Sequence, residues 1–324
     1  MKFTRERYST GDLIEKFEIL MSHLQKLMKE SGSNTLIKNT KLGEMLAQLE
    51  NINDLDDEDA AALALVIATY NQINFLFDDQ LDISFNKNEI LHVITGQSSF
   101  AEVNDKSADK LFELGMATRF ARASQNKVKI NLTTACDIII DSKIAIECKN
   151  IESTKKVKSR VTKAVVQLED RFENGLAKYG LIAVNVSSII DREKFRDFCR
   201  KTLEGFEENY KVLSSRGSYA PQIRSKGLIS SIEHDGNFRT IIVSYLSHLA
   251  EVSLHSNLGD FRMEDLPYNC WGIMVQATIP VTLGDEESKI LIPVRSMCYF
   301  LNPAIPEELR QEISGFIRKL GTGF

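Results

Sequence analysis

The stretch ACDIIIDSKIAIECKN, Ala135 to Asn150, places two carboxylates and a lysine inside what otherwise reads as buried strand. Two short isoleucine-rich runs, Ala135 to Ile140 and Ile144 to Cys148, flank Asp141-Ser142-Lys143, and such a spacing predicts a tight hairpin. Side chains in a strand alternate faces. Glu147 and Lys149 therefore share one face, and Ile144, Ile146 and Cys148 the other. With Asp141 to Lys143 as the loop, Ile140 pairs with Ile144, and counting back sets Asp137 opposite Glu147. Directly opposed residues have Cβ atoms roughly 4.5–5.5 Å apart, where like charges repel, so the pair calls for a cation. A hard divalent ion such as Mg²⁺ takes oxygen ligands, often through one or two carboxylates. Lys149 would then orient a water or neutralise charge on a phosphate.

Asp137, nine intervening residues, then Glu147-Cys148-Lys149 resembles the D…ExK pattern of the restriction-endonuclease-like PD-(D/E)XK phosphodiesterase superfamily. The resemblance spans roughly Asp105 to Ser188, and Cys136 stands where the pattern has proline. It implies an α/β fold, with an αβββαβ core built on a mixed central sheet. It also implies a metal-dependent nuclease acting on DNA, with Mg²⁺ as cofactor and Mn²⁺ as substitute. On that basis the backbone carbonyl of Cys148 completes a metal shell begun by Asp137 and Glu147. Glu113, on the first core helix, points at the same ion, and Gln167, on the helix after Lys149, lies near it. The expected catalytic set is thus Asp137, Glu147, Lys149, Glu113 and Gln167. The habits of the family further imply a homodimer and a role in restriction or phage defence.

Around this centre the chain divides into a helical region over residues 1–100, the core over 101–213 and an α/β extension over 214–324 packed on it. Apolar residues at helical spacing predict helices over Asp12 to Lys29, Lys41 to Leu49 and Asp57 to Phe77. The acidic cluster Asp54, Asp56, Asp57, Glu58 and Asp59 opens the last of these, where carboxylates satisfy free amides and the dipole and need no metal. No catalytic pattern falls in this all-helical region, which is expected to serve recognition, oligomerisation or docking of a protein partner. Asp105 to Ala123 is predicted as a helix beside the sheet; Arg119 and Arg122 near its end meet either phosphate or the helix dipole.

Strand Val128 to Leu132 opens the meander. After Lys149 comes the basic turn Lys155, Lys156, Lys158, Arg160 and Lys163, expected to contact nucleic acid at the end of the strand where a phosphate sits. The helix that follows carries Val161, Val165, Leu168, Phe172 and Leu176 on one side and Arg160, Lys163, Gln167, Arg171 and Asn174 on another. Leu181 to Ser187 reads as a parallel fourth strand, and Asp191 to Leu213 as a helix. Ser214 to Lys226 reads as a loop, with Arg216, Tyr219, Arg224 and Lys226 as possible DNA contacts or as a plain linker. His248 and His255, seven apart on a helix, lack further ligands and read as helix surface. Strands over Cys270 to Thr282 and Lys289 to Val294 and a helix over Pro306 to Leu320 complete the chain.

With 43% hydrophobic and 26% charged residues among 324, the composition is that of a globular protein. A net charge of −5 argues against nonspecific coating of nucleic acid, though not against a nuclease with a locally basic cleft. The five cysteines are scattered, with no spacing for zinc, and read as reduced core residues. With no signal peptide and no 18-residue apolar run, the expected location is the cytoplasm, without a membrane. Two other function classes stand beside the nuclease. One is a catalytically silent scaffold that binds nucleic acid or protein. The other is a helical interaction protein, from which removal of residues 1–100 would leave the remainder intact.

Overall fold

The computed structural model describes residues 9–94, 106–124, 128–215, 227–284 and 290–322. Its centre is a seven-stranded mixed sheet whose spatial order follows the chain. The strands are β1 Ile83–Phe85, β2 Ile130–Leu132, β3 Ile138–Ile140, β4 Ile144–Asn150, β5 Tyr179–Asn185, β6 Cys270–Leu283 and β7 Ile290–Leu301. β1, β2, β4, β5 and β6 run parallel, and β3 and β7 run against them. The class is therefore α/β, and the order from residue 106 onward is helix, three strands, helix, strand.

Helices cover both faces because the strands alternate two apolar sides. Ile144, Ile146 and Cys148 of β4, with Leu181 and Ala183 of β5, join one core; Ala145, Ile182 and Val184 join the other. The first core is closed by α1 Thr10–Glu30, α2 Lys41–Glu50, α3 Asp57–Asn71, the short α4 Lys87–Ile90, α5 Lys106–Ala123 and the C-terminal α10 Glu307–Thr322. The second is closed by α6 Val157–Glu173, α7 Arg192–Ser215, α8 Leu228–Glu233 and α9 Gly236–His255. β4 to β5 and β5 to β6 are parallel connections stepping the same way across the sheet. Crossovers of one hand then deliver their helices to one face, which is where α6, α7 and α9 lie.

Local chemistry sets the boundaries. Ser9 and Asp12 form a reciprocal capping box at α1, and Asp56 accepts from the amides of Glu58 and Asp59, so the acidic cluster does begin a helix. The region 1–100 is not all helical: Ile83–Phe85 adds β1 to the sheet beside β2. The stretch Asp57–Phe77 is long and apolar enough, by length and composition, to cross a membrane, against the expectation of no such run. Here Leu63, Ile67 and Ile73 on it are fully buried in the first core.

α5 is buried on every side: Leu111 to Ala121 is an unbroken run of buried residues that includes Glu113, Thr118 and Arg119. A helix hydrophobic all round belongs in a core, and α5 lies between the sheet, α3 and α10. The fourth strand starts earlier than its predicted Leu181. Tyr179 and Gly180 pair with Ile144 and Ala145, and a Cβ on Gly180 would come within 2.8 Å of both Leu168 and Phe172.

Two predictions come from this packing. Gly180→Ala should destabilise by about 1–3 kcal/mol through overpacking against α6. Gly205→Ala, in the exposed middle of α7 with open space around its Cβ, should stabilise by roughly 0.5–1 kcal/mol; urea denaturation of both reads the difference. A chain lacking residues 1–100 is expected to yield no cooperative unfolding transition, because α5 would lose the cover that α3 and residues 72–77 and 91–94 provide. Calorimetry of the truncated protein checks this.

Candidate active site

The hairpin closes as the sequence predicts. Asp141 and Ser142 sit at φ 50° and 54°, a left-handed pair of the kind that tight primed turns require. Asp141 is tied to β2 twice, its amide donating to the Lys129 carbonyl at 2.9 Å and its Oδ1 accepting from the Lys129 amide at 2.8 Å. Ile140 pairs with Ile144 and Ile138 with Ile146, which brings Asp137 level with Glu147. Asp137 lies just outside β3, where its Oδ2 accepts from the Cys148 amide at 2.7 Å.

Lys149 gathers the cluster. Its ammonium donates to Glu147 Oε2 at 3.0 Å, to the Cys148 carbonyl at 3.1 Å and to Asp137 Oδ2 at 3.3 Å. Glu147 is wholly buried, Lys149 nearly so, and Asp137 keeps 27% of its side chain exposed. From α6, Arg171 brings Nε to 3.6 Å from Glu147 Oε1 and donates through Nη2 to the Ala135 carbonyl at 2.7 Å. Glu147 Oε1, Arg171 Nε and Gln167 Oε1 are all buried without a hydrogen-bond partner among the described residues. Buried atoms with unused hydrogen-bonding capacity are unusual in a native interior and point to a role beyond packing.

Burial first, then the charge of Asp137, raises the Glu147 carboxyl to about 7 against the pull of Lys149. Burial opposes the charge on Lys149, but Asp137 and Glu147 outweigh it and hold the ammonium above its usual range. On α5, burial raises Glu113 to about 8, with Lys110 opposing and Asp137 reinforcing. Burial also raises Asp109, against the nearby Arg160.

The structure thus brings together Asp137, Glu147, Lys149 and the Cys148 carbonyl. Glu113 is within electrostatic reach of Asp137 but is bonded to Lys110 at 2.6 Å. Among the described residues no three His, Cys, Asp or Glu side chains come close enough to hold an ion. Glu113, expected in the metal set, is not gathered with Asp137, Glu147 and the Cys148 carbonyl. Gln167 points a buried oxygen without touching the trio.

Three of the five cations of the basic turn, Lys156, Lys158 and Arg160, are engaged in ion pairs. Lys156 and Arg160 hold Glu152 at 2.5 and 2.6 Å, Arg160 also lies 3.9 Å from Asp109, and Lys158 pairs with Asp260. Only Lys155 and Lys163 of that group are exposed cations outside any ion pair among the described residues. Arg216, Tyr219, Arg224 and Lys226 lie outside the described residues. Arg171, Glu152 and Asp109 were not among the expected site residues. Arg171 follows Gln167 by four on one helix and Glu152 precedes Lys156 by four, so helical spacing carries a trace of both.

The three oxygens around Lys149 Nζ are a donor set that suits a hard divalent cation, and Glu147 Oε1 has capacity left over. In the metal-free protein, the raised Glu147 and Glu113 mean that the folded state keeps protons the unfolded chain releases. Stability should therefore fall as pH rises from about 4.5 to about 8. The Lys149 contribution, raised above 10.5, is constant across that window. In chelator, the melting temperature should be higher at pH 6 than at pH 8, and Glu147→Gln should flatten the slope and raise the value at pH 8; scanning fluorimetry across pH measures both. Comparison with protein-family models, with curated proteins and with solved structures found no match, so the site is characterised by its own geometry and chemistry.

Proposed function

We propose that the chain is a metal-dependent phosphodiesterase, a nuclease acting on DNA, built on a restriction-endonuclease-like core. The single observation that carries this is the shared grip of Asp137, Glu147 and the Cys148 carbonyl on one cation, the Lys149 ammonium, with Glu147 wholly buried. The order α5, β2, β3, β4, α6, β5 supports the finer statement about the core. Asp137, Glu147 and the Cys148 carbonyl would hold Mg²⁺ or Mn²⁺. Such an ion supplies Lewis-acid polarisation of a phosphoryl oxygen and a water that ionises near neutral pH.

The chain's own residues have separable roles. Glu147, with a carboxyl near 7, takes up or releases a proton at working pH. Lys149 stays charged and offers an ammonium to negative charge developing on a phosphate. Arg171, anchored on the Ala135 carbonyl, is a positioning residue for Glu147. Homodimerisation, so that two sites cut two strands, a defence role and a cytoplasmic location belong to this proposal as implications of the family resemblance.

A catalytically silent scaffold is the second reading. It is favoured by the closed pairing of the basic turn with Glu152, Asp109 and Asp260, which leaves little free positive charge for nucleic acid.

The test is incubation of the purified protein with plasmid, linear duplex, single-stranded DNA and RNA, with and without Mg²⁺ or Mn²⁺. Cleavage should require the metal and fall at least about 10²-fold in Asp137→Asn and Glu147→Gln. Asp137→Asn keeps an acceptor for the Cys148 amide, so its fold should survive. Lys149→Met should lose activity and lower stability more at pH 8 than at pH 6, since the buried Glu147 carboxyl escapes its charge only by keeping a proton. Absence of turnover in every metal condition, with or without binding, would favour the scaffold.

A further inference from the structure

A second charged cluster lies on the α5 face of the sheet, opposite the side that Glu147 and Lys149 occupy. Arg119 of α5 is 8% exposed; its Nη2 donates to Gln276 Oε1 on β6 at 2.8 Å and lies 2.8 Å from Met116 Sδ. Thr278, two residues along β6 on the same face as Gln276, pairs with Arg295 of β7. Diagonal neighbours in a sheet are roughly 7–8 Å apart, so the Arg295 side chain rises from the sheet beside the group that holds Arg119. The Nε atoms of both arginines are buried and have no acceptor among the described residues. Burial first and the charge of Arg295 second pull the Arg119 pKa well below its usual value, and burial lowers Arg295. Among the described residues no carboxylate contributes to either.

A carboxyl such as Glu147 relieves burial by keeping its proton, but a guanidinium has no such escape. Two neighbouring guanidiniums, Arg119 buried and Arg295 half-buried, with no acid paired to them among the described residues, outline a site for an anion from outside the chain. Paired N–H donors on planar guanidiniums match the oxygens of a phosphoryl group. A phosphomonoester or inorganic phosphate, at about −1.5 to −2 near neutral pH, balances both charges where a carboxylate would balance one. Arg295 keeps partial exposure, which gives a ligand its way in. The site also lies along the sheet edge where β4 ends: Asn150, Asn185 and Gln276 align across β4, β5 and β6, and Asn185 donates to Asn150 at 2.9 Å.

We propose that Arg119 and Arg295, with Gln276 holding Arg119 in place, bind a dianionic phosphoryl group. This does not depend on the phosphodiesterase reading.

The experiment is thermal denaturation of the full chain at neutral pH with sodium phosphate titrated against sodium chloride of equal ionic strength. The melting temperature should rise with phosphate and follow a binding isotherm. Parallel titrations with a 5′-mononucleotide, a 5′-phosphorylated oligonucleotide and its 5′-hydroxyl counterpart identify the source. A nucleic-acid end stabilises only in the phosphorylated forms and at lower concentration, whereas a free anion site responds to inorganic phosphate alone. Arg119→Met and Arg295→Met should each weaken the phosphate response at least about tenfold, the worth of one charge-assisted bond. Each should also melt no lower than the parent when phosphate is absent, because an uncompensated charge is gone. Asp137→Asn should keep the response, which separates failure here from failure of the nuclease proposal. Equal shifts in phosphate and chloride for the unaltered protein, or an undiminished response in Arg295→Met, would overturn the site.

Discussion

A carboxylate taken wholly out of water inside a strand carries a desolvation penalty of several kcal/mol unless cations reach it, and Glu147 is in that position. Lys149 reaches it from the same strand, two residues on and on the same face, and Arg171 reaches it from the helix above. Lys149 is tolerated in turn because Asp137 and the Cys148 carbonyl share its ammonium. Each member of the cluster makes the burial of the others affordable, and the register of the β3–β4 hairpin is what brings them together.

The seven strands run in chain order, so the cluster is assembled from both faces of one sheet. α5 supplies Asp109 and Glu113 from one side, and α6 supplies Gln167 and Arg171 from the other. Of these only Arg171 reaches the carboxylates directly, while Asp137, at the start of β3, is felt by Glu113 as well as Lys149. Because α5 is enclosed by the sheet, α3 and α10, its polar residues are also buried. The cost falls differently on the two ends of the helix: Glu113 keeps a proton and a lysine partner, while Arg119 has a neutral amide and a sulfur.

Much of the centre was legible in the residues themselves. Ile140 opposite Ile144, and hence Asp137 opposite Glu147, follows from a period of two and a three-residue loop, both short-range rules. The acidic start of α3 was legible for the same reason, since a cap is made within one turn. The ion pairs of the basic turn were not legible, because Lys156, Lys158 and Arg160 look free until Glu152, Asp109 and Asp260 arrive, the last of them about a hundred residues away in the chain. Arg171 was read as one more residue of a polar stripe, and only the docking of α6 on β4 buries it while Lys163 and Asn174 of the same stripe stay exposed.

Alternation and turn chemistry determined, from the sequence alone, the hairpin, the shared face of Glu147 and Lys149 and the α/β class, because these depend on neighbours a few residues apart. Tertiary structure decided that residues 1–100 add an edge strand and close the same core as β2–β4. It also decided that Lys156, Lys158 and Arg160 of the basic turn are engaged in ion pairs, and that Arg119 and Arg295 lie near each other over β6. Those outcomes depend on which distant surfaces pack together, and the burial and charge balance of a long side chain are set by that packing rather than by its own neighbours in the chain.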